Sequence, residues 1–146
     1  MNFGKHVLLF LSTGFYIGNI PFAPGTLGSI LGIPVWFVLS KFTSVISLVF
    51  LALFIPIAMW AAHVSAKQLN RKDPGCIVID EMAGMLVTLA GLPFHWITCL
   101  LGFVLFRVMD ILKPFPIRWI DQNIGGGIGL VLDDSLAGII GNITLR

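Results

Sequence analysis

Four apolar runs, residues 27–40, 45–62, 82–106 and 128–145, constrain this chain more than any other feature. A helix that crosses the hydrocarbon of a bilayer needs about 20 such residues. The composition agrees. With 57% hydrophobic and 11% charged residues and a mean hydropathy of +0.97, the chain lies outside the soluble range. It reads as a multi-span, all-α membrane protein. At 146 residues it is expected to be one membrane-embedded domain, 1–146. The net charge of +2, without a basic stripe, excludes nucleic acid as a partner. Cys76 and Cys99 form no CxxC pair and are expected to be small buried hydrophobes. The N-terminal MNFGKHVLLFL loosely mimics a signal peptide, but no small-x-small cleavage site follows it cleanly. It is expected to be retained as part of the working protein.

The connectors set the topology. Residues 6–17 are a short apolar stretch, expected to be a helix at the membrane. Residues 18–26 (GNIPFAPGT) are a loop. Lys41, Thr43 and Ser44 mark a turn, and Pro56 is a kink point in the next run. Residues 63–79 form a polar connector, and 107–127 another, with Pro114, Pro116 and a Gly125-Gly126-Gly127 hinge that lets the backbone pass close by the site. The 82–106 run contains Leu92-Pro93-Phe94-His95. Proline disfavours helix at the residue before it, so this run is expected to be a hairpin of two short helices. Short spans of this kind thin the bilayer locally or favour self-association.

Two hairpins, 27–62 and 82–106, return the chain to one face. That face receives 18–26, 63–81 and 107–127, while the other receives only Lys41 and His95 among charged or titratable groups of these segments. The positive-inside rule makes the crowded face cytoplasmic.

All seven carboxylates fall between Asp73 and Asp134. Five of them, Asp80, Glu81, Asp110, Asp133 and Asp134, are expected at the ends of apolar helices on the crowded face. One acid at a helix start is ordinarily a cap. Five converging in an apolar bundle would repel one another and resist ionisation, and a hard divalent cation is the simplest remedy. Oxygen ligands without a histidine pair favour magnesium or manganese over zinc. Arg107, Asp110 and Lys113 are spaced three apart and share a helical face. With Arg118 they are expected to form a cationic clamp for phosphate, since the guanidinium fork matches phosphate oxygens. Thr26, in Pro24-Gly25-Thr26-Leu27-Gly28-Ser29, opens a helix whose free N–H groups can bind an anion. Asp121, three residues after Arg118, is a candidate to orient it. His6, His63 and His95 lie apart and are assigned no chemistry. GxxxxGK[ST], a cysteine-phosphatase loop, paired phosphatase histidines and DxD are all missing from the sequence. What remains is a metal-activated water with cationic phosphate binding.

IDEMAG (79–84) and RVMDILKPFPIRWIDQNIGGGIGLVLDD (107–134), with PGTLGS (24–29), closely resemble the phosphatidylglycerophosphatase A family. The likeness extends over nearly the whole chain and is weakest in 30–70. It implies an all-helical, magnesium-dependent lipid phosphatase of the bacterial inner membrane that converts phosphatidylglycerophosphate to phosphatidylglycerol and phosphate. On that reading Asp80, Glu81, Asp110, Asp133 and Asp134 serve the metal. Asp134 or Glu81 is the candidate general base, and Asp110 also belongs to the catalytic set. Arg107, Lys113, Arg118 and Thr26 hold phosphate. A divalent-cation or proton-coupled transporter is the rival, and it predicts acids at mid-span depth.

Overall fold

The computed structural model describes residues 3–146, and the regular structure of those residues is entirely helical. In chain order it comprises α1 (Phe3–Ser12), a short 3-10 turn (Ile17–Asn19), α2 (Pro24–Leu39), α3 (Ser44–Gln68), α4 (Ile79–Leu89), α5 (Trp96–Leu112), α6 (Ile117–Asn123) and α7 (Gly126–Leu145). Two of these, α3 and α7, are long and apolar enough to cross a membrane. Many apolar side chains of α3 and α5 face outward, among them Val45, Leu48, Trp60, Trp96, Leu100 and Ile111. An outer surface of this kind marks a face for contact with a membrane or another protein.

The 82–106 run is divided, as expected from Pro93. Residues 90–95 leave the helix, and His95 is extended, its Nδ1 accepting a hydrogen bond from the Ile97 N–H at 3.3 Å to cap α5. Several boundaries differ from the sequence reading: the helix expected over 6–17 stops at Ser12, and α2 already begins at Pro24, inside the expected 18–26 loop. The helix expected over 45–62 runs on through Gln68, carrying Lys67 on its last turn. The segment after Pro114 and Pro116 folds into α6; prolines at the front of a helix leave no intrahelical bond unmade. The glycine run is the start of α7 rather than a hinge by the acids. Gly127 lies against the α3 backbone at Met59 and His63, where a side chain would not fit.

Helix α4 is the centre of the bundle. It packs against α2, α3, α5 and α7, and it buries Ile79, Ala83, Met85, Leu86 and Leu89. Phe106 of α5, Ile117 of α6 and Ala137 of α7 complete that core with Trp36 and Leu51. The most extensive helix packing is α4 on α7. A Cβ on Gly84 would collide with the Phe106 ring and with the Asp134 carbonyl, and one on Gly138 would collide with the Gly84 carbonyl. Small residues at both positions let the two backbones touch. The same contact sets Asp134 beside the first turn of α4.

Candidate active site

The crossing of α4 and α7, the end of α5 and the start of α2 together enclose a cavity of about 470 Å³. Its chemistry is carried by Asp80 and Glu81 from α4, Arg107, Asp110 and Lys113 from α5, and Asp133 and Asp134 from α7. Ala23, Pro24, Gly25 and Thr26 close one side. Four stretches far apart in sequence therefore meet in one place, with the turn-back at residues 90–95 returning α5 to the start of α4.

Each acid reaches the cavity for a local reason. Asp80 and Glu81 occupy the first turn of α4, where the helix dipole favours negative charge. Arg107 and Asp110 lie three apart on α5 and pair directly, Nη1 to Oδ2 at 2.6 Å. Lys113 ends α5 in the left-handed region, φ 43°, and so turns its side chain back under the bundle. There its Nζ donates to Asp121 at 2.7 Å and also to Asp133. Asp133 and Asp134 do not cap α7, contrary to the expectation that they sit near its start. They lie about two turns inside it and are both buried.

Two carboxylates thus have a cation: Asp110 has Arg107 and Asp133 has Lys113. Among the described residues the other three have none. Asp80, Glu81 and Asp134 each present an oxygen within 4.8 Å of the others. Burial holds Asp80 well above the usual carboxylate range, and the adjacent Glu81 charge adds to it. Glu81 is pushed up to about 7, chiefly by burial and further by Asp134 and Asp110, although a hydrogen bond with Asp80 opposes the rise. Burial alone would lower Lys113, but its two hydrogen-bonded carboxylates outweigh that and raise it above its ordinary value.

Two buried polar atoms at this cavity lack a partner among the described residues, Glu81 Oε2 and Arg107 Nε. One is an acceptor that wants a cation or a proton, and the other a donor that wants an anion. Close packing holds both in place: a Cβ on Gly25 would sit 2.6 Å from Glu81 Oε1 and 3.1 Å from Arg107 Nη1. The start of α2 therefore lies directly on the site. Ala23 precedes it in the left-handed region, φ 45°, with no side-chain cap, so the first N–H groups of α2 remain available to a ligand.

Arg118 is not brought to this cavity. It is exposed and lines a separate one of about 340 Å³ with Leu112, Phe115, Trp119 and Gln122, which meets the cleft only at Lys113. Asp121 hydrogen-bonds Lys113 rather than Arg118. Asp73, given no role from sequence, lines the mouth of the cleft. Its place in the 69–78 connector gave no periodic signal from which to find it. The sequence residues that do share the cleft are Asp80, Glu81, Asp110, Asp133, Asp134, Arg107, Lys113 and Thr26.

Comparison with known proteins shows the family. A family model described as phosphatidylglycerophosphatase A matches residues 10–146. The chain belongs to the phosphatidylglycerophosphatase A family. A phosphatidylglycerophosphatase A of Escherichia coli is 41% identical over 133 residues, covering 89% of this chain and 76% of the relative. One of Haemophilus influenzae is 40% identical over 131 residues, covering 88% and 80%. A Bacteroides thetaiotaomicron protein named, provisionally, as a phosphatidylinositol-3-phosphatase is 36% identical over 138 residues, covering 88% and 85%. No solved structure matches.

Proposed function

We propose that this chain is a phosphoric monoester hydrolase that releases phosphate from phosphatidylglycerophosphate, leaving phosphatidylglycerol for the membrane. The family and two relatives bearing that name support the reaction. The observation that carries the mechanism is the pair of unpartnered atoms, Glu81 Oε2 and Arg107 Nε, at one polar cavity. A phosphate and a hard cation together satisfy both.

The three uncompensated carboxylates, Asp80, Glu81 and Asp134, fit a divalent metal ion: oxygen donors only, mutually close, with one acceptor idle. Magnesium is the ion proposed, with Asp110 and Asp133 adjoining the set through their cation pairs. When bound, it supplies charge neutralisation at the phosphate and a more acidic water. The protein's own groups do the rest. Arg107 and Lys113 neutralise phosphate oxygens as charge builds in transfer, and Thr26 with the first N–H groups of α2 orients them. Asp134 or Glu81 takes the proton from the attacking water, and Asp110 keeps the Arg107 fork aimed into the cavity. Phosphate contact through Arg118 falls outside the cleft. Its exposed position beside Trp119 and Phe115 suits contact with more distal parts of the lipid.

The chain acts as one membrane-embedded domain, with α3 and α7 as spans and the cleft at the cytoplasmic face of a bacterial inner membrane. Lys67, Arg71, Lys72, Lys113 and Arg118 gather at the cleft's end of the molecule, which favours that orientation under the positive-inside rule. A headgroup in the leaflet then meets the cleft without the chains leaving lipid. The test is phosphate release by purified protein in detergent, with and without magnesium, from phosphatidylglycerophosphate beside phosphatidic acid. Magnesium-dependent release favouring the first is expected. No release from either lipid by folded protein would overturn the proposal and return the transporter reading.

A further inference from the structure

We infer that the polar end of α3 carries a seat for an anionic diacyl phospholipid, separate from the acid cleft; the inference rests on the membrane placement proposed above. A cavity of about 350 Å³ opens there, and its polar lining is His63, Lys67, Asn70, Arg71 and Lys72. Three cations line it and no carboxylate does. None of the three takes part in an ion pair among the described residues. Lys72 also lines a neighbouring cavity that holds Asp73 and Asp121, so Lys67 and Arg71 are the pair furthest from a counter-charge; like charges gathered in this way repel, and a phosphate group relieves that.

The helix below the cavity supplies the second observation. Leu53, Ile57 and Trp60 of α3 are 63%, 56% and 58% exposed. They are spaced three or four apart, and His63 and Lys67 continue the series, so all five share one side of the helix. Read along α3, the stripe runs aliphatic, indole, imidazole, ammonium. A phospholipid presents its groups in the same order: chains, glycerol, phosphate. From Leu53 to Lys67 the helix rises about 21 Å, about one leaflet with its headgroup. Inorganic phosphate shares the headgroup's chemistry, but it has no use for the apolar half of the stripe, which favours the lipid.

The experiment places the full chain in phosphatidylcholine nanodiscs without substrate. A trace of spin-labelled phosphatidylglycerol or spin-labelled phosphatidylcholine is added, and the motionally restricted fraction is read by EPR. Wild type is expected to restrict the anionic label preferentially. Lys67→Gln, Arg71→Gln and Lys72→Gln each lower that preference by about fivefold. Lys41→Gln, before the opposite end of α3, leaves it unchanged. Equal restriction of both labels by wild type, or full preference in the triple variant, would overturn the seat. Complete release of the label by inorganic phosphate would reassign the cavity to the free ion. The readout is lipid binding, so a failed phosphatase assay leaves this result standing, and the reverse also holds.

Discussion

The acid cleft and the basic cavity stand at the same end of the bundle and pose opposite charge problems. In the cleft, six carboxylates meet two cations, and three of the acids, Asp80, Asp133 and Asp134, are buried. In the cavity at the end of α3, three cations meet no acid and all are exposed. An exposed charge keeps its hydration and tolerates the lack of a partner, but a buried one does not. The cleft is therefore where a missing counter-charge carries the larger consequence, and Asp80, Glu81 and Asp134 are the groups that lack one. On the proposed readings, the difference separates a site built to hold an ion firmly from a surface that attracts a headgroup loosely.

The largest expected effect follows from breaking the uncompensated trio. Asp134→Asn should lower phosphate release by on the order of a thousandfold, with the thermal unfolding midpoint kept or raised, because a repelling charge has gone. Activity near wild type would remove Asp134 from the site. Next comes the packing that sets the trio: Gly138→Val forces a side chain into the Gly84 carbonyl and Val87. It should destabilise the protein by about 2 kcal/mol and separate Asp134 from α4, so that activity falls with stability. A smaller loss is expected from Lys113→Met, which strands buried Asp133. Lys113 is partly exposed, so the effect should be about 2 kcal/mol or less, and Asp133→Asn in the same chain should recover part of it. Thermal unfolding in detergent checks both.

The comparison also has a pH arm. Glu81 is held at about 7 in the folded protein, against an ordinary 4.5. A raised carboxylate means the folded state holds its proton more tightly than the unfolded state. Its contribution to stability is present below pH 4.5 and lost as pH rises through 7. Metal-free wild type should therefore lose stability across that window, and Glu81→Gln should flatten the loss. An unchanged slope in the variant would assign the window to another group.

Much of this arrangement was legible in the sequence. Apolar runs of span length require helices, and Pro93 within 82–106 requires a break, so the facing of Asp80 and Asp110 follows from counting turns. The i, i+3 spacing of Arg107 and Asp110 predicts their pairing. What escaped was direction and depth. Nothing in Pro114-Phe115-Pro116 tells which way α6 will aim Arg118, and it aims outward. The glycines at 125–129 read as a hinge because glycine is a poor helix former, yet packing on α3 overrides that preference and moves Asp133 and Asp134 about two turns into a helix. Their depth is the one feature that the transporter rival anticipated. Their company, with Lys113, Arg107 and the start of α2 at the same cavity, is what that rival does not require.

The most direct measurement of the central claim is manganese titration of the purified, metal-free protein, followed by EPR as a stand-in for magnesium. The account predicts saturable binding by wild type and by Asp121→Asn, and its loss in Asp80→Asn and Asp134→Asn, with all four proteins folded. Equal binding by wild type and Asp134→Asn would contradict it, because the ion would then be held by something other than the uncompensated acids of the cleft.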